Sequence, residues 1–175
     1  MNGLEQLIEE FKNGNNKAFD AIVIQNKEWV INLILSMVHN QQDAEDLSQD
    51  IFVSVYFSLK KFKGNSSFKT WLYRIIINKV NNYYRKLKIL SIFNVELSKI
   101  DYLHIYEDEN IFKQFDKEAL RKAIISLKTR QRNVVMLRIY KGHSFKEIGK
   151  ILSISVNNAK VSFHNAKNNL KKKFK

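Results

Sequence analysis

Ser144-Phe145-Lys146-Glu147-Ile148-Gly149-Lys150-Ile151-Leu152-Ser153-Ile154-Ser155-Val156-Asn157-Asn158-Ala159-Lys160-Val161 is the stretch that decides the fold. Ser144 and Glu147, three residues apart and just ahead of an apolar stripe, make a capping box in which each side chain satisfies the other's orphan backbone N–H. The short helix that follows carries Ile148 and Leu152 inward. Ser153-Ile154-Ser155 then turns the chain, and Ser155 caps a final helix. Its inner stripe, Val156, Ala159, Phe163, Ala166 and Leu170, is spaced 3, 4, 3, 4. A short helix, a three-residue turn and a longer basic helix read as helix-turn-helix. That stripe leaves Asn157, Asn158, Lys160, Val161, His164, Asn165, Lys167 and Asn168 facing outward or flanking. Such groups reach base edges and phosphates when a helix enters a major groove, its N-terminal N–H groups leading. An ordinary amphipathic surface helix is the competing reading.

Upstream of this motif, Ala119, Leu120, Ala123, Ile124 and Leu127 predict a helix. Thr129 is expected to cap the next, with Val134, Leu137 and Ile139 inside and Gly142 at its end. Further back, from Lys88 to about Phe115, no helical or strand period persists and a linker is expected. The N-terminal part is periodic again. Leu4, Leu7, Ile8 and Phe11 make a first helix, stopped by Asn13-Gly14-Asn15-Asn16, and Phe19 to Val38 a long second one. Asp43 is expected to cap a third, with Ala44, Leu47, Ile51, Val55 and Leu59 on one stripe. After the break Lys61–Ser66, Ser67 caps a fourth, whose inner stripe is Leu72, Ile76, Val80 and Tyr83 and which runs to about Leu87.

The expected architecture is therefore all-α, two small four-helix domains, 1–88 and 116–175, joined by a linker, 89–115. In 175 residues there is no proline and glycine occurs five times, so few breakers oppose helices. With no cysteine, disulfides and thiolate zinc sites are excluded. No apolar run approaches the roughly 20 residues that span a bilayer, and acids near the N-terminus do not suit a signal peptide, so no membrane insertion and a cytoplasmic location are expected.

The formal charge of +13 is uneven. Residues 1–50 hold nine acids and three bases, and residues 51–95 nine bases and no acid. Residues 96–118 reverse to seven acids and three bases, and residues 129–175 hold twelve bases with Glu147 as the single acid. Two acid-free basic blocks predict two cationic surfaces and a polyanionic partner, since each phosphate contact releases counterions.

On the fourth helix, Arg74, Asn78, Asn81 and Arg85 lie opposite the apolar stripe. Ahead of them Lys60, Lys61, Lys63 and Lys69 alternate with Phe62, Phe68, Trp71 and Tyr73. Cations beside exposed rings suit single strands or flipped bases. Phe62, Phe68 and Trp71 fit core packing better than stacking, while Tyr73, Tyr83 and Tyr84 fit either. Asp43, Asp46 and Asp50, at i, i+3 and i+7, share a helix face that either docks on a basic partner or is simply solvated. A catalytic centre finds no support: there is no phosphate loop, no HExxH, and no nucleophile with an evident base. His39, His104, His143 and His164 are scattered, and no cofactor or metal is expected.

Asp43-Ala44-Glu45-Asp46-Leu47-Ser48-Gln49-Asp50-Ile51-Phe52, followed by Phe62-Lys63-Gly64-Asn65-Ser66-Ser67-Phe68-Lys69-Thr70-Trp71-Leu72-Tyr73-Arg74-Ile75, resembles region two of the extracytoplasmic-function (ECF) sigma factors of bacterial RNA polymerase. Leu127 with Gln131-Arg132, Gly142 through Gly149, and Ser155 through Ala166 resemble region four. The resemblance implies that Asp43, Asp46, Gln49 and Asp50 dock on core polymerase, at the coiled coil of its largest subunit, with the flap as a further contact. It implies that Lys61, Lys63, Asn65, Lys69, Tyr73, Arg74, Asn78, Asn81 and Arg85 serve the −10 element and hold an unstacked base. Ser155, Asn157, Asn158, Lys160, Val161, His164, Asn165 and Lys167 would serve the −35 element. An anti-sigma partner is also implied.

The chain departs from the family pattern at Asn82, where Asp is usual, and at Ser162 and Asn165, near which Arg is usual. Lys128 replaces a Pro and Ser153 a turn Gly. Phosphate anchoring then falls to Lys160, Lys167 and Lys171–Lys173. Two other functions fit parts of the sequence: a free-standing helix-turn-helix regulator, and a small nuclease using Asp43, Asp46 and Asp50 with a divalent metal.

Overall fold

The computed structural model describes residues 3–92 and 117–174, and every regular element among them is helical. The chain divides into two units, Met1–Leu103 and His104–Lys175. Most of the expected linker, and His104 with it, lies outside the described residues.

The first unit comprises α1 (Gly3–Lys12), α2 (Asn16–Val38), α3 (Gln41–Leu59) and α4 (Phe68–Ile92). Helix α4 continues past Leu87 into what was expected to be linker. The breaks fall where side-chain chemistry puts them. After α1 the Asn15 N–H bonds back to Glu10 O at 3.0 Å, a turn that Gly14 permits with φ of 100°. After α2, His39 sits in the left-handed region at φ 58°, its N–H bonded to Leu35 O at 2.9 Å. The cap of α3 is Asn40, whose Oδ1 accepts the Asp43 N–H at 2.8 Å. Asp43, expected at that position, lies inside the first turn: Asn40 has the extended backbone a cap requires, which frees the Asp43 carboxylate for another partner. Ser67 does cap α4, its Oγ accepting the Thr70 N–H at 3.2 Å.

Phe11, Ile22, Val30, Leu33, Ile34, Ile51, Val55, Leu59, Leu72 and Ile76 are buried completely where the four helices meet. Each contributes about 1.5–3 kcal/mol relative to an exposed side chain. Contrary to the expectation from sequence, α2 is long and apolar enough to cross a membrane by length and composition. Its buried residues, Ile22, Val30, Leu33 and Ile34 among them, pack against α1, α3 and α4, as a core helix does.

The second unit comprises α5 (Lys117–Ile125), α6 (Thr129–Val135) running on as a π-helical segment (Met136–Tyr140), α7 (Phe145–Leu152) and α8 (Val156–Lys173). The cap position of α6 belongs to Lys128, extended and without a side-chain bond, so Thr129 is the first helical residue rather than the cap. Buried Arg132 donates Nη1–H to Ile125 O at 3.1 Å, satisfying a carbonyl in the last turn of α5. Leu120, Ile124, Val134, Leu137, Ile148, Ile151, Ala159, Ala166 and Leu170 form the core.

The turn between α7 and α8 is tight. A Cβ on Gly149 would stand 2.8 Å from Ile154 O, so only glycine lets α7 approach the turn this closely. Ser153 adopts φ 55°, the left-handed conformation for which glycine is the low-cost residue.

Candidate polymerase and nucleic-acid interfaces

The expected acidic face separates into two parts. Asp43 is half-buried, and its Oδ2 accepts the Tyr83 hydroxyl of α4 at 2.7 Å. Asp46, Gln49 and Asp50 are exposed. Asp50 pairs with Lys79 of α4 at 3.5 Å, and Asp46 Oδ1 accepts from the Gln42 amide at 3.2 Å. On the same face, at the 4, 3, 4 spacing from Asp46 through Asp50, stand Val53 and Phe57, 56% and 72% exposed. The sequence reading passed over both. Their signal was there: two large apolar residues that fall outside the Ala44-Ile51-Val55-Leu59 stripe. Among the described residues, no group of three or more His, Asp or Glu side chains is placed to hold a metal ion, and Asp43 in particular is turned toward Tyr83.

The loop before α4 presents Lys61, Lys63 and Asn65 to solvent around Gly64, whose φ is 71°. Beneath it Phe62, Phe68 and Trp71 cluster with centroids 5.1–6.3 Å apart, a packing role that holds the loop. Lys69 is exposed and places its Nζ 5.2 Å from the Trp29 ring centre. Tyr73, expected to face nucleic acid, is 4% exposed, with its ring edge-on to Trp29 at 5.0 Å. It is a core residue and its ring is unavailable for stacking. Along α4, Asn78 and Arg85 are exposed, whereas Arg74 and Asn81 are half-buried. Tyr83 and Tyr84 also turn inward: the Tyr84 hydroxyl donates to Met37 O of α2.

In the second unit the capping box forms as expected. The Ser144 Oγ accepts the Glu147 N–H at 3.3 Å, while Glu147 Oε2 accepts the Ser144 hydroxyl at 2.7 Å and its N–H at 2.8 Å. These bonds, the hydroxyl's first, hold the Glu147 carboxyl below the usual carboxylate range. Arg138 anchors the approach to α7, donating to His143 O at 2.9 Å with its guanidinium 5.0 Å from the Phe145 ring centre. Phe145 meets Phe163 of α8 at 5.7 Å, locking the two helices. Ser155 caps α8, its Oγ accepting the Asn158 N–H at 3.1 Å. Asn157, Asn158, Lys160, Val161, His164, Asn165 and Lys167 are all exposed. Val156, read as the first residue of the inner stripe, is 41% exposed instead, because at the first helical position it lies beyond the core.

Described elements that are all helical, a helix-turn-helix with a cationic outer helix in one unit, and both an acidic-apolar face and a basic loop in the other define the features of a DNA-binding protein with a second macromolecular partner. Comparison with known proteins narrows this. Residues 22–89 match the sigma-70 region 2 family and residues 117–170 the sigma-70 region 4 family. The chain is 31% identical over 147 residues to the RNA polymerase sigma factor YlaC of Bacillus subtilis, covering 82% of this chain and 84% of YlaC. It is 29% identical over 182 residues to the ECF RNA polymerase sigma factor SigW of the same organism, covering 98% and 97%. Its fold is similar to that of the sigma factor RpoE of Bartonella quintana, solved in complex with the anti-sigma factor NepR, with a TM-score of 0.63, 21% identity, and 90% and 97% of the two chains covered. The chain belongs to the sigma-70 family and is an RNA polymerase sigma factor of the ECF group, a protein of transcription initiation.

Proposed function

We propose that residues 1–88 form a body that binds core RNA polymerase and the −10 element, that residues 116–175 form a body that reads the −35 element, and that 89–115 tether them. Exposed Asp46, Gln49 and Asp50, with Val53 and Phe57, form the polymerase-docking face; Asp43 supports it from behind through Tyr83. Lys61, Lys63, Asn65, Lys69, Asn78 and Arg85 face the −10 region. Their role is to offset strand separation, which costs a few kcal/mol per unstacked base, by contacts made only to the open strand. No chemical step by this chain is needed. The protein works in the cytoplasm with the polymerase, and an anti-sigma factor that covers the docking face would silence it.

The observation that carries this reading is the division of labour within one small body. An acidic-apolar face on α3 suits a protein partner, and a cationic loop and helix, free of acids from Ile51 to Val95, suit DNA. Co-purification with core polymerase followed by transcription in vitro tests it. The expected result is promoter-specific initiation by the holoenzyme and weak duplex binding by the chain alone. Tight, sequence-specific binding of a palindromic duplex without polymerase would replace it with a free-standing regulator.

A further inference from the structure

Helix α8 sorts its side chains sharply between a buried and an exposed side. Ala159, Ser162, Ala166 and Leu170 are buried, which sets Asn157, Val161, His164 and Asn168 on the opposite line at 4, 3, 4 spacing. Val161 stands in the middle of that line, 49% exposed. Asn158 and Asn165 flank it on one side. Lys160 and Lys167, seven residues apart, flank it on the other, close to the buried stripe and so directed along the helix shoulders where phosphates run. His164 is engaged with its neighbour, Nε2 lying 3.0 Å from the Asn168 amide. From Lys141 to the end of the chain there is no arginine, and α8 has no acid. Two arginines elsewhere in this unit are committed to its own structure, Arg132 to Ile125 O and Arg138 to His143 O.

In the major groove, guanine is read chiefly by arginine, or by lysine, and cytosine by a carboxylate. Adenine is read by the Asn or Gln amide, and thymine by apolar contact with its methyl group. On the outward line of α8, Asn157 and Asn168 are of the adenine-reading type and Val161 of the thymine-reading type, while His164 is engaged with Asn168. Resting on the sigma-factor reading above, we infer that α8 selects A·T base pairs at the upstream element, Asn157 and Asn158 pairing with adenine N6 and N7 and Val161 covering a thymine methyl. Lysines on the shoulders supply affinity that does not depend on sequence.

The test is selection from a promoter library randomised at the upstream element, performed with the full chain both alone and assembled with core polymerase. Recovered duplexes are then remade with deoxyuridine for thymine, which removes only the methyl group. The expected element is fixed as A·T pairs, and one deoxyuridine lowers binding about tenfold for the wild type but not for Val161→Ala. Asn158→Arg should move one position to guanine. Since Val161 and Asn158 are exposed, circular dichroism should show both variants folded. Fixed G·C pairs, or no sensitivity to the missing methyl, overturn the inference while initiation by the holoenzyme keeps the sigma reading. Selection of A·T pairs by a chain that never assembles with polymerase upholds the inference and removes that reading instead.

Discussion

The Tyr83 hydroxyl donates to Asp43 Oδ2 at 2.7 Å, tying the middle of α4 to the first turn of α3. The helix proposed to face DNA is thus fastened to the helix proposed to face the polymerase, and the carboxylate is also well placed against the α3 dipole. Tyr83→Phe removes one bond to a half-buried carboxylate and keeps the ring. It should cost about 1–2 kcal/mol of stability, read from the urea midpoint, with little change in polymerase affinity.

Asp46 and Phe57 have no such structural duty. Asp46→Arg and Phe57→Ala should each leave the unfolding midpoint within about 0.5 kcal/mol of the wild type, since both side chains are exposed. Affinity for core polymerase should fall at least tenfold for either, measured by fluorescence anisotropy of labelled chain. Unchanged affinity for both would remove the docking assignment from this face.

Helix positions and the helix-turn-helix were legible because they rest on local chemistry: periodic apolar residues, the Ser144/Glu147 box and the Ser155 cap. What was not legible depended on the third dimension. Asp43 looked like a cap and one member of an acidic trio until Asn40 took the cap and Tyr83 took the carboxylate. Tyr73, an aromatic residue within a basic stretch, fits either core packing or stacking by sequence, and it is Trp29, some forty residues earlier, that packs edge-on with it and settles the matter. Val53 and Phe57 carry no local signal of exposure beyond falling outside the apolar stripe of α3, and only the packing of the four helices shows them facing solvent.

The Glu147 carboxyl is held below its ordinary value by the Ser144 hydroxyl and N–H. A carboxylate lowered on folding contributes stability that is complete above its unfolded value, near 4.5, and is lost as pH falls through the lower folded value. Glu147→Gln can keep the reciprocal cap but cannot titrate there. Its thermal midpoint should therefore lie below the wild type at neutral pH, with the gap closing in acid. A gap that does not change with pH would show that the carboxylate's charge plays no part in the cap.

Gly149 and Ser153 bracket the same turn and predict opposite signs. Gly149→Ala places a Cβ 2.8 Å from a backbone oxygen that cannot swing aside, so the turn must open, at about 1–3 kcal/mol. Ser153→Gly relieves a left-handed serine, offset in part by the freer unfolded chain, for a net gain of about 0.5–1 kcal/mol. Chemical denaturation of both variants checks the pair.

Asn78 and Arg85 are exposed on α4, off the core stripe of Leu72, Ile76 and Val80. If they hold the separated strand, their energy enters after polymerase has bound, because duplex DNA does not offer them unstacked bases. Replacing both with alanine should leave assembly of the holoenzyme and its first, closed binding to promoter unchanged. The fraction of open complexes, followed by a fluorescent base analogue within the −10 element, should fall about tenfold. A pre-melted template, in which the −10 strands are mismatched, pays the unpairing cost in advance. On that template the double variant should recover most of the lost activity. Equal losses on paired and mismatched templates would instead place these side chains in duplex binding, and the melting role would pass to Lys61, Lys63 and Asn65 around Gly64.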